Sequence, residues 1–247
     1  MIRTANPALN DNVFVNARRD AVAHASTMTL MGTVHKTGLL ILLVMLSASW
    51  VWYQFFAQVN VGHWTLIGAF GGFVAALVTV FKKQWSMITA PAYALLEGLF
   101  LGGISAAFEA RFPGIVIQAV ALTFGTLFAL LIAYRSGLIK PTENFKLGIF
   151  AATGGIAIFY FVTFILGFFH ANVPLVNSNS LLGIGFSLVV VIIAALNLVL
   201  DFDFIEKGAG MGAPKYMEWY AGFGLLVTLV WLYVEILRLL SKLRSRN

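Results

Sequence analysis

The stretch Asn197-Leu198-Val199-Leu200-Asp201-Phe202-Asp203-Phe204-Ile205-Glu206-Lys207 ends a long apolar run with three carboxylates, and its reading decides what kind of protein this is. An ionised side chain at bilayer depth costs about 2.5 to 3.5 kcal/mol on insertion scales, so a sequence that keeps one pairs it or uses it. Asp201 is the deepest of the three. It also stands toward the C-terminal end of its presumed helix, where the dipole is negative and a carboxylate is further disfavoured. The first hypothesis is a proton-sensitive switch.

The chain of 247 residues is 60% hydrophobic and 11% charged, with a mean hydropathy of +0.89. Soluble domains hold about 45 to 50% apolar and about 25% charged residues, so this composition belongs to a polytopic membrane protein in a lipid bilayer. The net charge of +6 does not argue for nucleic acid, because the basic residues fall between apolar runs. Cysteine is absent, which excludes disulfides and thiolate metal sites.

Seven runs are long enough to cross about 30 Å of hydrocarbon, which takes roughly 20 residues. They begin near Thr37, Trp64, Met87, Ile115, Leu147, Leu181 and Tyr216. This divides the chain into an arm over 1–36, a seven-helix domain over 37–240 and a basic tail over 241–247. The arm is too long for the charged region of a signal peptide, so the first run is expected to stay in the mature protein. Eleven of the sixteen basic residues lie on the N-terminal side, which the positive-inside rule makes cytoplasmic. The tail dissents: an odd number of spans sends Arg238, Lys242, Arg244 and Arg246 outside unless the last segment is re-entrant. In the third run Ala90, Ala94, Gly98, Gly102 and Ala106 recur every four residues, a stripe for close helix packing.

Asp201 and Asp203 point to nearly opposite helix faces. Asn197 lies four before Asp201, on its face, and suggests a polar seam turned toward other helices. Asp203 has Lys207 four residues on, the favourable order for a helical ion pair, so Asp203 and Glu206 read as interfacial charges. Glu218 and Glu235 in the seventh run compete as partner to Asp201. They are 17 residues apart, about 26 Å along a helix. On a straight, fully spanning helix Glu218 is nearer; a tilted or re-entrant one brings Glu235 closer. Glu97, mid-span in the third run, is the third intramembrane acid: either a neutral protonated Glu or one hydrogen-bonded to a neighbouring Tyr or Thr, or part of an ion or proton path. His24, His35, His63 and His170 have no metal-ligand spacing, and no protease motif surrounds Ser105. The chain reads as a non-enzyme without a cofactor.

Several pieces together resemble the Bax inhibitor 1 family, in its bacterial branch with an extended N-terminal arm. Leu200-Asp201-Phe202-Asp203-Phe204-Ile205-Glu206-Lys207 is similar to the acidic end of that family's sixth span, and Leu232-Tyr233-Val234-Glu235 to its Leu-Tyr-Leu-Asp motif in the seventh. Tyr93, Gly98 and Gly102 fit the pattern of its third span. The resemblance implies an all-α fold of seven transmembrane helices, six wrapped around a central C-terminal one. It implies a pair of carboxylates between the sixth and seventh helices that senses pH for a passive calcium leak; by position these are Asp201 and Glu235. The chain departs from the family in three ways: Glu replaces the second Asp, the linker is longer, and Glu97 is acidic. The longer linker keeps Glu218 in play.

The leading reading is a pH-sensitive cation or calcium leak channel of a bacterial inner membrane, with Ca²⁺ near Asp201 as the permeant ion. Second is a regulator of another membrane protein, such as an integral-membrane protease, with the arm as contact. Third is a proton-coupled transporter using Glu97. Composition and motifs leave the oligomeric state open.

Overall fold

The computed structural model describes residues 27–169, 178 and 180–246. The expected arm therefore lies outside the described residues over 1–26. Among the described residues seven α-helices make up the fold: α1 Leu30–Phe56, α2 Gly62–Phe81, α3 Ser86–Arg111, α4 Ile115–Arg135, α5 Glu143–Phe168, α6 Leu181–Gly210 and α7 Met217–Arg244. All seven are long and apolar enough to cross a membrane. The first begins at Leu30, one to two turns before the apolar run does, because the Thr29 hydroxyl caps it by accepting the Gly32 N–H at 3.0 Å. Thr142 and Ser180 cap α5 and α6 in the same way.

A helix inside a bundle is buried on all sides, whereas one at the rim keeps an apolar face for lipid. By that measure α7 is the centre: half of its most apolar window is buried, against 11 to 39% in the other six. α1, α3, α4 and α6 pack directly on α7. α2 packs chiefly on α3, and α5 on α6. The expected ring of six is thus four inner helices plus two outer ones, with α5 burying only Ile149.

Both ends of α7 are fixed by contacts that settle its path. At one end Glu218 meets Thr29 and Lys36 at the start of α1. At the other, Lys242 donates to the Gly183 carbonyl and the Ser187 hydroxyl at the start of α6. Arg244 donates to the carbonyls of Phe112 and Pro113 just past the end of α3. α7 therefore spans the bundle, is not re-entrant, and leaves the tail on the face opposite the start of α1. Two of the basic residues that dissent from the loop charge count are ligands of backbone and hydroxyl oxygens. Arg244 sits where a helix C-terminus favours a cation.

The small-residue stripe of α3 explains the tightest packing. A Cβ on Gly98 would stand 2.5 Å from the Val44 carbonyl of α1, and one on Gly102 2.5 Å from that of Ala48. The two backbones meet because no side chain separates them. Gly98→Ala should destabilise the protein by about 1 to 3 kcal/mol through overpacking. Gly125→Ala, where a Cβ meets nothing within 4 Å, should cost nothing measurable; denaturant unfolding in detergent compares the two.

Candidate functional site

Asp201 lies in α6 nine residues before its C-terminal Gly210, about 14 Å from that end. Its neighbours Leu198, Val199 and Phe202 are buried. One carboxyl oxygen, Oδ2, is buried without a hydrogen-bond partner. Thr228 of α7 is the polar side chain beside the carboxyl, and its own hydroxyl donates to the Gly224 carbonyl at 3.3 Å.

Neither seventh-helix glutamate answers Asp201. Glu235 is seven residues beyond Thr228, about 10 Å along α7, and Glu218 is ten residues before it, about 15 Å. Each is held by other groups. Glu218 is fully buried and accepts from the Thr29 N–H and hydroxyl, both at 2.9 Å, from Lys215 at 2.8 Å and from Lys36. A Cβ on Gly32 would collide with that carboxylate, so the glycine makes its seat. Glu218 thus locks the start of α1 to the start of α7, and Met28 extends the lock by donating its N–H to the Ala213 carbonyl at 2.7 Å.

Glu235 is 2% exposed and meets α5. The Tyr160 hydroxyl lies 3.1 Å from both of its oxygens, and Arg238 Nη1 lies 2.9 and 3.2 Å from them. The same Nη1 donates to the Tyr160 oxygen at 2.8 Å. Three groups on two helices close one polar clasp.

That clasp is the far end of a polar seam along α5. Lys146, Thr153 and Tyr160 recur every seven residues and so share one helix face. Each meets a polar group on α6 or α7. Lys146 pairs with Asp203 at 3.0 Å, the Thr153 hydroxyl accepts from Asn197 Nδ2 at 2.9 Å, and Tyr160 meets Glu235. Asn197 therefore turns to α5, while Asp201 turns to Thr228 on α7. The two do not form a single inward seam from α6, as their four-residue spacing suggests. Lys242, bound to Ser187 and Gly183, continues the polar line to the opposite face of the bundle. The sequence reading missed Lys146, Thr153, Tyr160 and Thr228. The seven-residue spacing on α5 was the available signal for three of them.

Asp203 also takes Lys207 at 2.8 Å, one helical turn on. Exposed Glu206 accepts from the Tyr134 hydroxyl. These two acids sit on the face where α4 and α6 end and α5 begins. Glu97 stands apart: it lies against the Tyr93 hydroxyl one turn earlier and toward Gly72 of α2, on the other side of the bundle from α5. Among the described residues no group of three or more His, Cys, Asp or Glu side chains is placed to hold a metal ion.

A family model described as Bax inhibitor 1 like matches residues 6–245. No curated protein and no solved structure matches the chain.

Breaking a buried ion pair by removing one partner costs about 3 to 5 kcal/mol. Glu218→Ala should lose stability on that scale, since it leaves Lys36, Lys215 and the Thr29 N–H without their acceptor. Glu206→Ala, at the exposed end of α6, should lose less than about 1 kcal/mol. Urea or SDS unfolding of the two variants side by side measures the difference.

Proposed function

We propose that this chain, which belongs to the Bax inhibitor 1 like family, is a multi-pass membrane protein that passes cations passively, with Asp201 as its proton-sensitive element. We take calcium as the leading permeant ion, and a bacterial inner membrane with the start of α1 on the cytoplasmic side as the setting. The protein works as a leak and not as an enzyme, with no resident cofactor.

The observation that carries the reading is the unpartnered Asp201 oxygen inside the α6–α7 contact. Burying a charge that has only one hydroxyl beside it and no cation costs several kcal/mol. Ionising Asp201 therefore requires α6 and α7 to part and admit water or a cation, whereas an uncharged carboxyl fits the packed arrangement. Proton loss and helix separation are thereby one equilibrium. The seam of hydroxyl, amide and carboxylate groups between α5, α6 and α7 offers oxygens along the direction an ion would take. In this reading Asp201 acts beside Thr228, with Glu235 engaged farther along α7 by Tyr160 and Arg238.

The reading is tested in liposomes loaded with a calcium dye. Wild type should leak increasingly as pH rises, while Asp201→Asn should hold a low flux at every pH. Glu235→Gln should change the amount of flux and keep its pH dependence. Flux from wild type equal to that of empty liposomes across the whole range overturns the proposal.

A second reading has its own support. Thr27 pairs in an isolated antiparallel bridge with Pro214, and Met28 is buried against Gly208. The root of the N-terminal arm is thus tied to the linker between α6 and α7, next to the acidic stretch. A membrane-protein partner that grips the arm could act on the switch through that tie. Deleting residues 1–26 leaves the tie intact: a leak should persist unchanged, whereas a regulator should lose its partner in a pull-down.

A further inference from the structure

α1 and α4 both pack on α7, yet they leave a gap between them. The gap is a groove of about 270 Å³, floored by α3 and α7 and walled by apolar side chains, among them Val44 and Trp52 of α1, Leu101 of α3, Val120 and Phe124 of α4 and Leu229 of α7. On its floor Ser105 Oγ of α3 lies 2.7 Å from the Tyr233 hydroxyl oxygen of α7. We propose that this groove is a lipid site, which takes one acyl chain of a phospholipid and holds the ester carbonyl of that chain on the Ser105–Tyr233 hydroxyl pair.

Counting hydrogens on that pair gives the chemistry of the ligand. Each hydroxyl brings one hydrogen. One of the two makes the bond between the oxygens, and the other has no acceptor among the described residues. Ser105 is buried, at a depth where water does not supply the acceptor. Thr123, also in the wall, is already satisfied, because its hydroxyl donates to the Ala119 carbonyl at 2.7 Å. A single spare O–H donor in an apolar wall fits a molecule that is apolar along its length and carries one acceptor oxygen.

Depth and opening select the lipid itself as that molecule. α3 has 26 residues, so at about 39 Å it overshoots about 30 Å of hydrocarbon by several ångströms at each end. Ser105 stands six residues before the last residue of α3, Arg111, about 9 Å from that end. The hydroxyl pair therefore lies about one helical turn below the hydrocarbon boundary, just under the level at which lipid ester carbonyls sit. Trp52, four residues before the end of α1, marks the interface on the same side of the groove. An apolar cavity of about 150 Å³ takes a benzene-sized molecule. This larger groove takes a run of methylenes and not a whole lipid, so the headgroup and second chain stay in the bilayer outside the gap. Asp201, Thr228 and Glu235 are not among its lining residues, and the site stands whether or not the protein leaks.

Ester and ether lipids of equal chain and headgroup separate the carbonyl contact from simple filling of an apolar space, because the ether lacks the carbonyl. The full chain, purified in detergent, is titrated with dioleoyl phosphatidylcholine or its diether analogue, and the bound lipids are counted by native mass spectrometry. Wild type should bind the first ester lipid about fivefold more tightly than the first ether lipid, a factor that one net hydrogen bond supplies. Ser105→Ala/Tyr233→Phe removes both partners of the pair and leaves no orphaned hydroxyl; it should keep the first lipid and lose the preference. Val120→Trp, which fills the groove, should lose the first lipid of either kind. Equal binding of ester and ether by wild type overturns the proposal, as does a preference that survives in the double variant or a first lipid that Val120→Trp retains at wild-type affinity. Where a variant fails to fold, the wild-type ester-to-ether ratio decides alone, and a ratio of unity overturns the proposal.

Discussion

Inside the hydrocarbon core no water is available to solvate a charge, so an acid buried in this bundle depends on the donors that the chain brings to it. α7, the helix with the most buried surface, carries two such acids near its two ends. Glu218 is answered by Thr29, Lys36 and Lys215, and Glu235 by Tyr160 and Arg238. These networks fix α7 to α1 on one face and to α5 on the other. Asp201, between them in depth, is the departure from the rule: a carboxyl whose buried oxygen has no partner.

The same constraint divides the bundle into two kinds of packing. Around α3, glycines bring helix backbones into contact, with Gly98 and Gly102 against α1 and Gly68 against α3 from α2. Such contacts have few alternative arrangements, because a close-packed backbone interface cannot slide without clashing. Around α5, contact is sparse and polar: Lys146, Thr153 and Tyr160 hold it to α6 and α7 through hydrogen bonds and ion pairs. Hydrogen bonds of this kind depend on a few specific groups rather than on continuous backbone contact. The glycine-packed half and the polar-bonded half share α7 as their common wall.

Charge placement follows the same logic at the ends. Lys242 and Arg244 stand on the face that the loop charges leave poor in cations, yet both are occupied by carbonyl and hydroxyl oxygens. Arg244 also completes the exposed carbonyls at the end of α3. Their positive charge serves helix packing, which a count of loop charges cannot register.

Composition, hydropathy and span length by themselves determined the class, the seven helices and the small-residue face of α3, because each is a local property: about 20 apolar residues cross a bilayer whatever lies beside them. The cost of an acid at membrane depth likewise singled out Asp201, Glu218, Glu235 and Glu97 one residue at a time. What answers each acid was decided only by the tertiary structure. The donors for Glu218 come from Lys36 and Thr29, some 180 residues away in the chain, and the hydroxyl at Glu235 comes from a helix 75 residues earlier. A straight-helix ruler offered two candidates for Asp201, and the packing of α6 on α7 set Thr228 beside it instead. Helix rotation and depth are fixed by contacts among all seven helices at once. For that reason the acidic stretch from Asn197 to Lys207 announced a site, and only the assembled bundle gave each of its acids a partner or left it without one.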